Sequence, residues 1–281
     1  MRAKLSAGER TVILGDGSSL GANITDKGIK GWYGTPDPKW ALTERQSGDG
    51  AHAVSQPAIL YSARVVTIAI RFEGETPGDA LAARDELAAL AHQHVELEVD
   101  DGHSVTSAIG MLSLDCDMER FERRIPATVE VVCADPRRYG ALRTAYLSPS
   151  AGGAGGLVFD SDANLQYPIQ FAGEVSDSNS ATISNEGTSP AYPTMTATGS
   201  FPAGIRLTGS FGALEYAAPI GAGAPVVLDS RTETASVLGV DATRSLSSRD
   251  FPVVMPGESM TISLLAAGTG TVSVELRDTY V

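Results

Sequence analysis

Apolar and polar positions alternate cleanly in several parts of the chain, and the sharpest pattern runs from Ile59 to Asp100. Val66, Ile68, Ile70 and Phe72 lie two apart, so on a pleated strand they share one face, and that face predicts a core. Phe72-Glu73-Gly74-Glu75 interrupts the strand. Thr76-Pro77-Gly78-Asp79 then reads as a helix start, with Thr76 as N-cap, Pro77 at the first helical position and Asp79 placed to answer unpaired amides. The spacing predicts a helix over 79–91, with Ala80, Ala83, Leu87 and Leu90 on one stripe and Arg84, Asp85 and Glu86 turned away. Such a narrow, alanine-rich stripe suits a helix laid close against a sheet. A second strand follows, with Val95, Leu97 and Val99 inward and His94, Glu96, Glu98 and Asp100 outward, and it turns at Asp101-Gly102. No other stretch predicts a helix convincingly.

Around this unit the pattern predicts strands and turns. His103 to Asp117 and Arg123 to Ala134 form a long hairpin, with Val129, Val131 and Cys133 inward and Thr128 and Glu130 outward. Its tip, Glu119 to Arg124, carries mixed charges that fit a solvated turn or, more sharply, a contact with a neighbouring subunit. Asp135-Pro136-Arg137-Arg138-Tyr139 predicts a turn that leads into a last strand near 139–147. Ahead of the unit, Thr11 to Leu14 and Leu20 to Ile24 read as short strands joined by Gly15-Asp16-Gly17-Ser18. Gly28 to Pro57 strings Gly and Pro together with Trp32, Tyr33 and Trp40. A loop of that length is usually functional or partner-bound; the bland alternative is that both tryptophans lie back on their own domain.

The glycine-rich run Ser148 to Gly156 is the clearest boundary. As a soft coil reaching roughly 15 to 20 Å it separates a domain over 1–147 from one over 157–281. The second half is purely β in pattern, with turn signals roughly every 8 to 12 residues, as in a sandwich. Strands are expected at 167–172, 181–184, 194–198, 205–208, 213–217, 226–229 and 234–238. Met260, Ile262 and Leu264 alternate with polar neighbours after the Pro256-Gly257 turn, as do Val272, Val274 and Leu276.

At 281 residues and 42% hydrophobic content, each half can bury its own core. A formal net charge of -13 argues against gripping a phosphate backbone. With no signal-peptide pattern and no long apolar run, the expectation is a soluble protein folded in a reducing cytosol, without membrane insertion. In the predicted hairpin register Cys116 opposes about Ala127 and Cys133 about Gly110, too far apart for a bridge, so two reduced, buried thiols are expected.

Chemistry-bearing patterns are weak. His52, His92, His94 and His103 match no compact zinc spacing with the cysteines. Asp115/Asp117 and Asp160/Asp162 lack the glycine-turned loop and distal glutamate of a calcium site and read as solvated carboxylates. There is no nucleophile elbow, phosphate loop or dinucleotide fingerprint. No catalytic, cofactor-binding or metal residue is therefore assigned, and the expectation is a protein of surfaces rather than an enzyme.

The order of motifs resembles the distal tail proteins, or minor tail proteins, of long-tailed, siphovirus-type bacteriophages. The first stretch that carries this is Tyr61 to Asp100, with Arg84-Asp85-Glu86-Leu87 in its helix, followed by the hairpin and the Asp135 to Tyr139 closure. The second comprises Tyr167-Pro168-Ile169, Asn185 to Thr194, Val226 to Asp229, Phe251-Pro252, Pro256-Gly257 and Glu275 to Tyr280. The resemblance implies a mainly β chain. Its N-terminal α+β domain, a β-sandwich with one helix, would form a ring, and a galectin-like or carbohydrate-module-like β-sandwich would follow. It further implies a homo-hexamer in the virion's tail tip, made in the host cytoplasm. That ring would join the tail tube protein to the tail-tip hub protein, with tape-measure and receptor-binding proteins as possible neighbours and DNA only as passing cargo. Long strands with open edges call for edge partners, which a ring supplies.

Two rival readings stand beside it. A carbohydrate-binding protein acting on host-surface glycan would need exposed aromatics on one sandwich face, and Tyr167, Tyr192, Phe211 and Tyr216 are scattered in sequence. A glycan hydrolase would need a carboxylate pair, and none of the 34 acidic residues is singled out.

Overall fold

The computed structural model describes residues 1–53, 59–116, 122–149 and 179–281. The chain is mainly β and forms two compact units, Met1–Ala141 with Tyr280–Val281, and Leu142–Thr279.

Unit 1 is built on an antiparallel sheet in the order β3 (Ala22–Lys30), β4 (Arg64–Glu73), β7 (Arg124–Cys133), β6 (Val105–Asp115), β5 (His94–Asp100), β1 (Arg2–Ala7), β2 (Arg10–Gly15). Alternation does what period two requires. Val66, Ile68, Ile70 and Phe72 of β4 are buried on one face, as are Val95, Leu97 and Val99 of β5 and Val129, Val131 and Cys133 of β7. The helix α1 (Pro77–Ala88) packs its small stripe on β4, β6 and β7, and Ala80, Leu87 and Leu90 are fully buried. It stops a turn earlier than the spacing predicts, because Leu90 and Ala91 donate to the carbonyls of Leu87 and Ala88 and tighten the chain into turns.

This half departs from the sequence reading at β1 and at one cysteine. β1, not foreseen, supplies Ala3, Leu5 and Ala7 to the core. The two short strands expected on either side of Gly15 to Ser18 are present, β2 paired with β1 and β3 with β4. Cys133 is buried but Cys116 is only half-buried. The hairpin register is as expected, with Met111 opposite Val132 and Asp115 opposite Thr128. It places Gly110 beside Cys133, and the cysteines form no disulfide. The tip residues 117–121 lie outside the described residues, as does most of the 148–156 linker.

Unit 2 is a sandwich of two antiparallel sheets. One runs β15 (Val240–Asp241), β14 (Thr234–Val237), β13 (Val226–Asp229), β10 (Thr194–Ser200), β18 (Thr269–Tyr280) and then β8 (Arg138–Leu147). The other runs β16 (Leu246–Arg249), β12 (Gly212–Tyr216), β11 (Ile205–Gly209), β17 (Ser259–Leu265), β9 (Ser180–Ser184). Met195, Leu228, Val272 and Val274 from the first meet Leu207, Leu214, Ile262 and Leu264 from the second in one core. The strands expected from 181 to 276 are all present, and β15 and β16 are additional. The strand expected at 167–172 lies outside the described residues.

Buried Asn185 ties this unit's C-terminal strand to the loop before β10. Its amide donates to the carbonyls of Ser189 and Val254, and its Oδ1 accepts from the amides of Gly187 and Thr279. Asp278 beside it accepts from the Glu186 amide at 2.8 Å and from the Arg143 guanidinium at 3.0 Å.

Candidate assembly surface

The singled-out histidines do not converge. His52, His92, His94 and His103 are all exposed, and among the described residues no group of three His, Cys, Asp or Glu side chains could hold a metal. Asp117, Asp160 and Asp162 lie outside the described residues, and Asp115 is exposed at the end of β6. A shallow depression of about 450 Å³ lies beside β3, lined by Thr25, Asp26, Lys27, Arg71, Asp115 and Thr128 among others. Chemically it is mixed in charge and open.

What stands out is an arm that leaves the sheet between β3 and β4, described over residues 31–53 and 59–63. Its two limbs pair through bridges of Pro38 with Tyr61 and Glu44 with Ala51. The Lys39 amide donates to the Leu60 carbonyl at 2.7 Å and the Ser62 amide to the Asp37 carbonyl at 2.8 Å. Every residue from 41 to 50 is exposed. Trp40 (45%), Leu42 (58%), Ile59 (39%) and Leu60 (58%) keep much of their apolar surface in water. The two tryptophans divide, for Trp32 at the arm's root is buried and Trp40 is not.

Two arginines and a glycine hold that root. Gly31 has φ +77°, and a Cβ there would sit 2.0 Å from the Val65 carbonyl oxygen, so only glycine fits. Arg64, 1% exposed, donates through Nη1 to the carbonyls of Gly31 (2.6 Å), Trp32 (2.9 Å) and Gly34 (2.8 Å), and through Nε to Pro136 (2.8 Å). Burial, with the like charge of Arg138 nearby, pushes the Arg64 pKa down to about 10, which leaves it cationic at neutral pH. The Arg138 guanidinium lies over the rings of Trp32, Tyr33 and Tyr280 at 5.6, 5.9 and 5.8 Å. Tyr33 donates its hydroxyl to Asp101 at 3.2 Å, and that carboxylate caps the Asp101-Gly102 turn by accepting from the amides of His103 and Ser104. Those two amide bonds hold the Asp101 pKa below the usual carboxylate value.

A second apolar surface lies on the outward face of the sheet. Val65 stands opposite Val132, and Val132 opposite Met111, with Ile109 two residues back on the same side of β6. Val65, Met111 and Ile109 are 46%, 55% and 62% exposed.

No family model matches the chain, and no curated protein matches it by sequence. Among solved structures, the crystal structure of phage SPP1 Dit, described as a paradigm of the hub adsorption apparatus in phages infecting Gram-positive bacteria, is similar over 99% of both chains. The TM-score is 0.65 at 13% identity. The chain has the fold of SPP1 Dit. Two structures of the phage P2 baseplate in its activated conformation, with calcium and with strontium, also match over 98% of both chains, with TM-scores of 0.52 and 0.51 at 10% and 12% identity.

The Dit fold is the one that the motif order resembles. Sequence reading flagged the arm but missed Arg64 and the outward patch. A signal for the patch was present. Val105, Ala108, Ile109, Met111 and Leu112 put apolar residues on both faces of β6, as in a strand covered on both sides.

Proposed function

We propose that this protein is a distal tail protein and a structural component of a phage tail tip, rather than an enzyme. Six copies of unit 1 form a ring that joins the tail tube to the tail-tip hub. Unit 2 carries peripheral or receptor-binding parts. The chain is made in the host cytoplasm and resides in the virion. The observation that carries this reading is the match to SPP1 Dit across both units, 99% of each chain. The exposed arm supports it, because a ribbon with no core of its own belongs against a partner. A net charge of -13 suits a channel through which DNA passes without adhering.

The carbohydrate-binding alternative finds less support. Tyr216 is 4% exposed and Phe211 packs against the unit 2 core, so neither offers a ring face for a sugar. Light scattering on the purified chain tests the proposal. A mass of six chains is expected, and a strict monomer at about millimolar concentration, alone and with the tail tube protein, overturns it.

A further inference from the structure

Unit 1 carries two apolar surfaces that its own core does not use. One is the arm, with Trp40, Leu42, Ile59 and Leu60; the other is the β4–β7–β6 face, with Val65, Ile109 and Met111. An isolated two-stranded ribbon is marginal in water, so contacts within the arm do not by themselves account for its order. Fully extended, ten residues span roughly 30 Å at about 3.3 Å per residue, a length sufficient for a limb of the arm to reach a neighbouring copy.

We propose that the arm of one copy lies across the β4–β7–β6 face of the next copy, so that each chain gives one arm and receives one. This deepens the ring reading and rests on it. Both halves of the contact exist on one chain, and they differ from each other, so the contact can propagate head-to-tail from copy to copy. The chemistry matches. Trp40 is a large, half-exposed anchor of the type that dominates interface energy, and the receiving patch is aliphatic and sulfur-bearing, able to mould around an indole. Lys39 flanks Trp40, while Glu96 and Glu130 flank the patch, so the rim sets a cation against carboxylates. The direction of the arm is fixed in advance by Arg64, whose three bonds to the root carbonyls lower the ordering cost of docking.

The test uses two full-length variants. One carries Trp40→Asp with Leu60→Asp and so lacks a working arm. The other carries Ile109→Asp with Met111→Asp and so lacks a working face. All four positions are exposed, so both variants are expected to melt close to the wild type. At a concentration where the wild type assembles, each variant alone is expected to run as a monomer, with association weakened at least about 30-fold. An equal mixture is expected to give a species of twice the chain mass and nothing larger, because the intact arm of one variant meets the intact face of the other and neither end can extend. Rings formed by either variant alone, or a folded mixture that stays monomeric, overturn the proposal while leaving a wild-type ring in place. A wild type that itself never assembles instead removes the ring reading.

Discussion

Arg64 shows how one side chain decides what a long segment does. Its guanidinium fans across four backbone carbonyls, and an ammonium at the end of a flexible stem could not reach them together. Arg64→Ala is expected to cost about 3 kcal/mol or more in denaturant unfolding, because buried acceptors lose their donor. Arg64→Lys should recover less than half of that. In both variants amide exchange over residues 33–62 should quicken while β7 stays protected, and unchanged exchange in the arm would contradict the assigned role. Cys133 gives a second prediction at this scale. Burial pushes its thiol up to about 11, so at pH 8 about one in a thousand is ionised. Iodoacetamide is therefore expected to leave Cys133 unlabelled in the folded chain and to label it in urea, as read by peptide mass.

Among the elements, α1 is the one whose start was written most fully in the sequence. The Thr76 hydroxyl accepts from the Asp79 amide at 3.3 Å, and the Asp79 carboxylate accepts from the Thr76 amide at 2.8 Å, closing a capping box. Thr76→Ala is expected to cost about 1 kcal/mol. The Thr76 amide bond, and next a bond in which the Thr76 hydroxyl donates to the carboxylate at 2.9 Å, hold the Asp79 carboxyl below its ordinary 3.8. A carboxyl depressed in the folded state stabilises above its unfolded pKa, and that contribution is lost as pH falls below about 3.8 and through the folded value. Asp79→Asn should therefore flatten the acid limb of a melting-temperature profile and leave the neutral region almost parallel to wild type; an unchanged acid limb would remove Asp79 from the list of contributors.

The same local logic explains which elements were legible. β4, β5, β7, β17 and β18 alternate with large aliphatics, and their inward faces are those read from period two. β1 was missed because Ala3 and Ala7 contribute little to the pattern, and β16, Leu-Ser-Ser-Arg, because it has a single apolar residue. β2 and β3 were legible as strands on either side of a glycine turn, but their partners, β1 and β4, were not, because pairing is set by tertiary folding. The fate of the two tryptophans was illegible for a different reason. Trp32 is buried beneath a guanidinium from β8 and a root held by Arg64, contacts set by tertiary folding that no local pattern encodes.

At the scale of the molecule, the proposed arm contact is a route to assembly distinct from the pairing of open sheet edges. The end strands β2 and β3 come together, with Ile24 packed against Gly15, and β3 is interrupted by a bulge between Ile24 and Ile29 that blunts it for pairing. Among side-chain surfaces that could carry association, salt separates two kinds. A contact made by the charged hairpin tip at 119–124 would weaken as the Debye length falls from about 10 Å at 0.1 M to about 3 Å at 1 M. An apolar contact between arm and sheet face is not screened. Copies that each carry a net charge of -13 also repel one another, so screening removes a cost of bringing them together. Self-association measured by sedimentation is therefore expected to hold or tighten between 0.1 M and 1 M sodium chloride. Dissociation over that range would return the interface to the charged tip and leave the arm with some other partner.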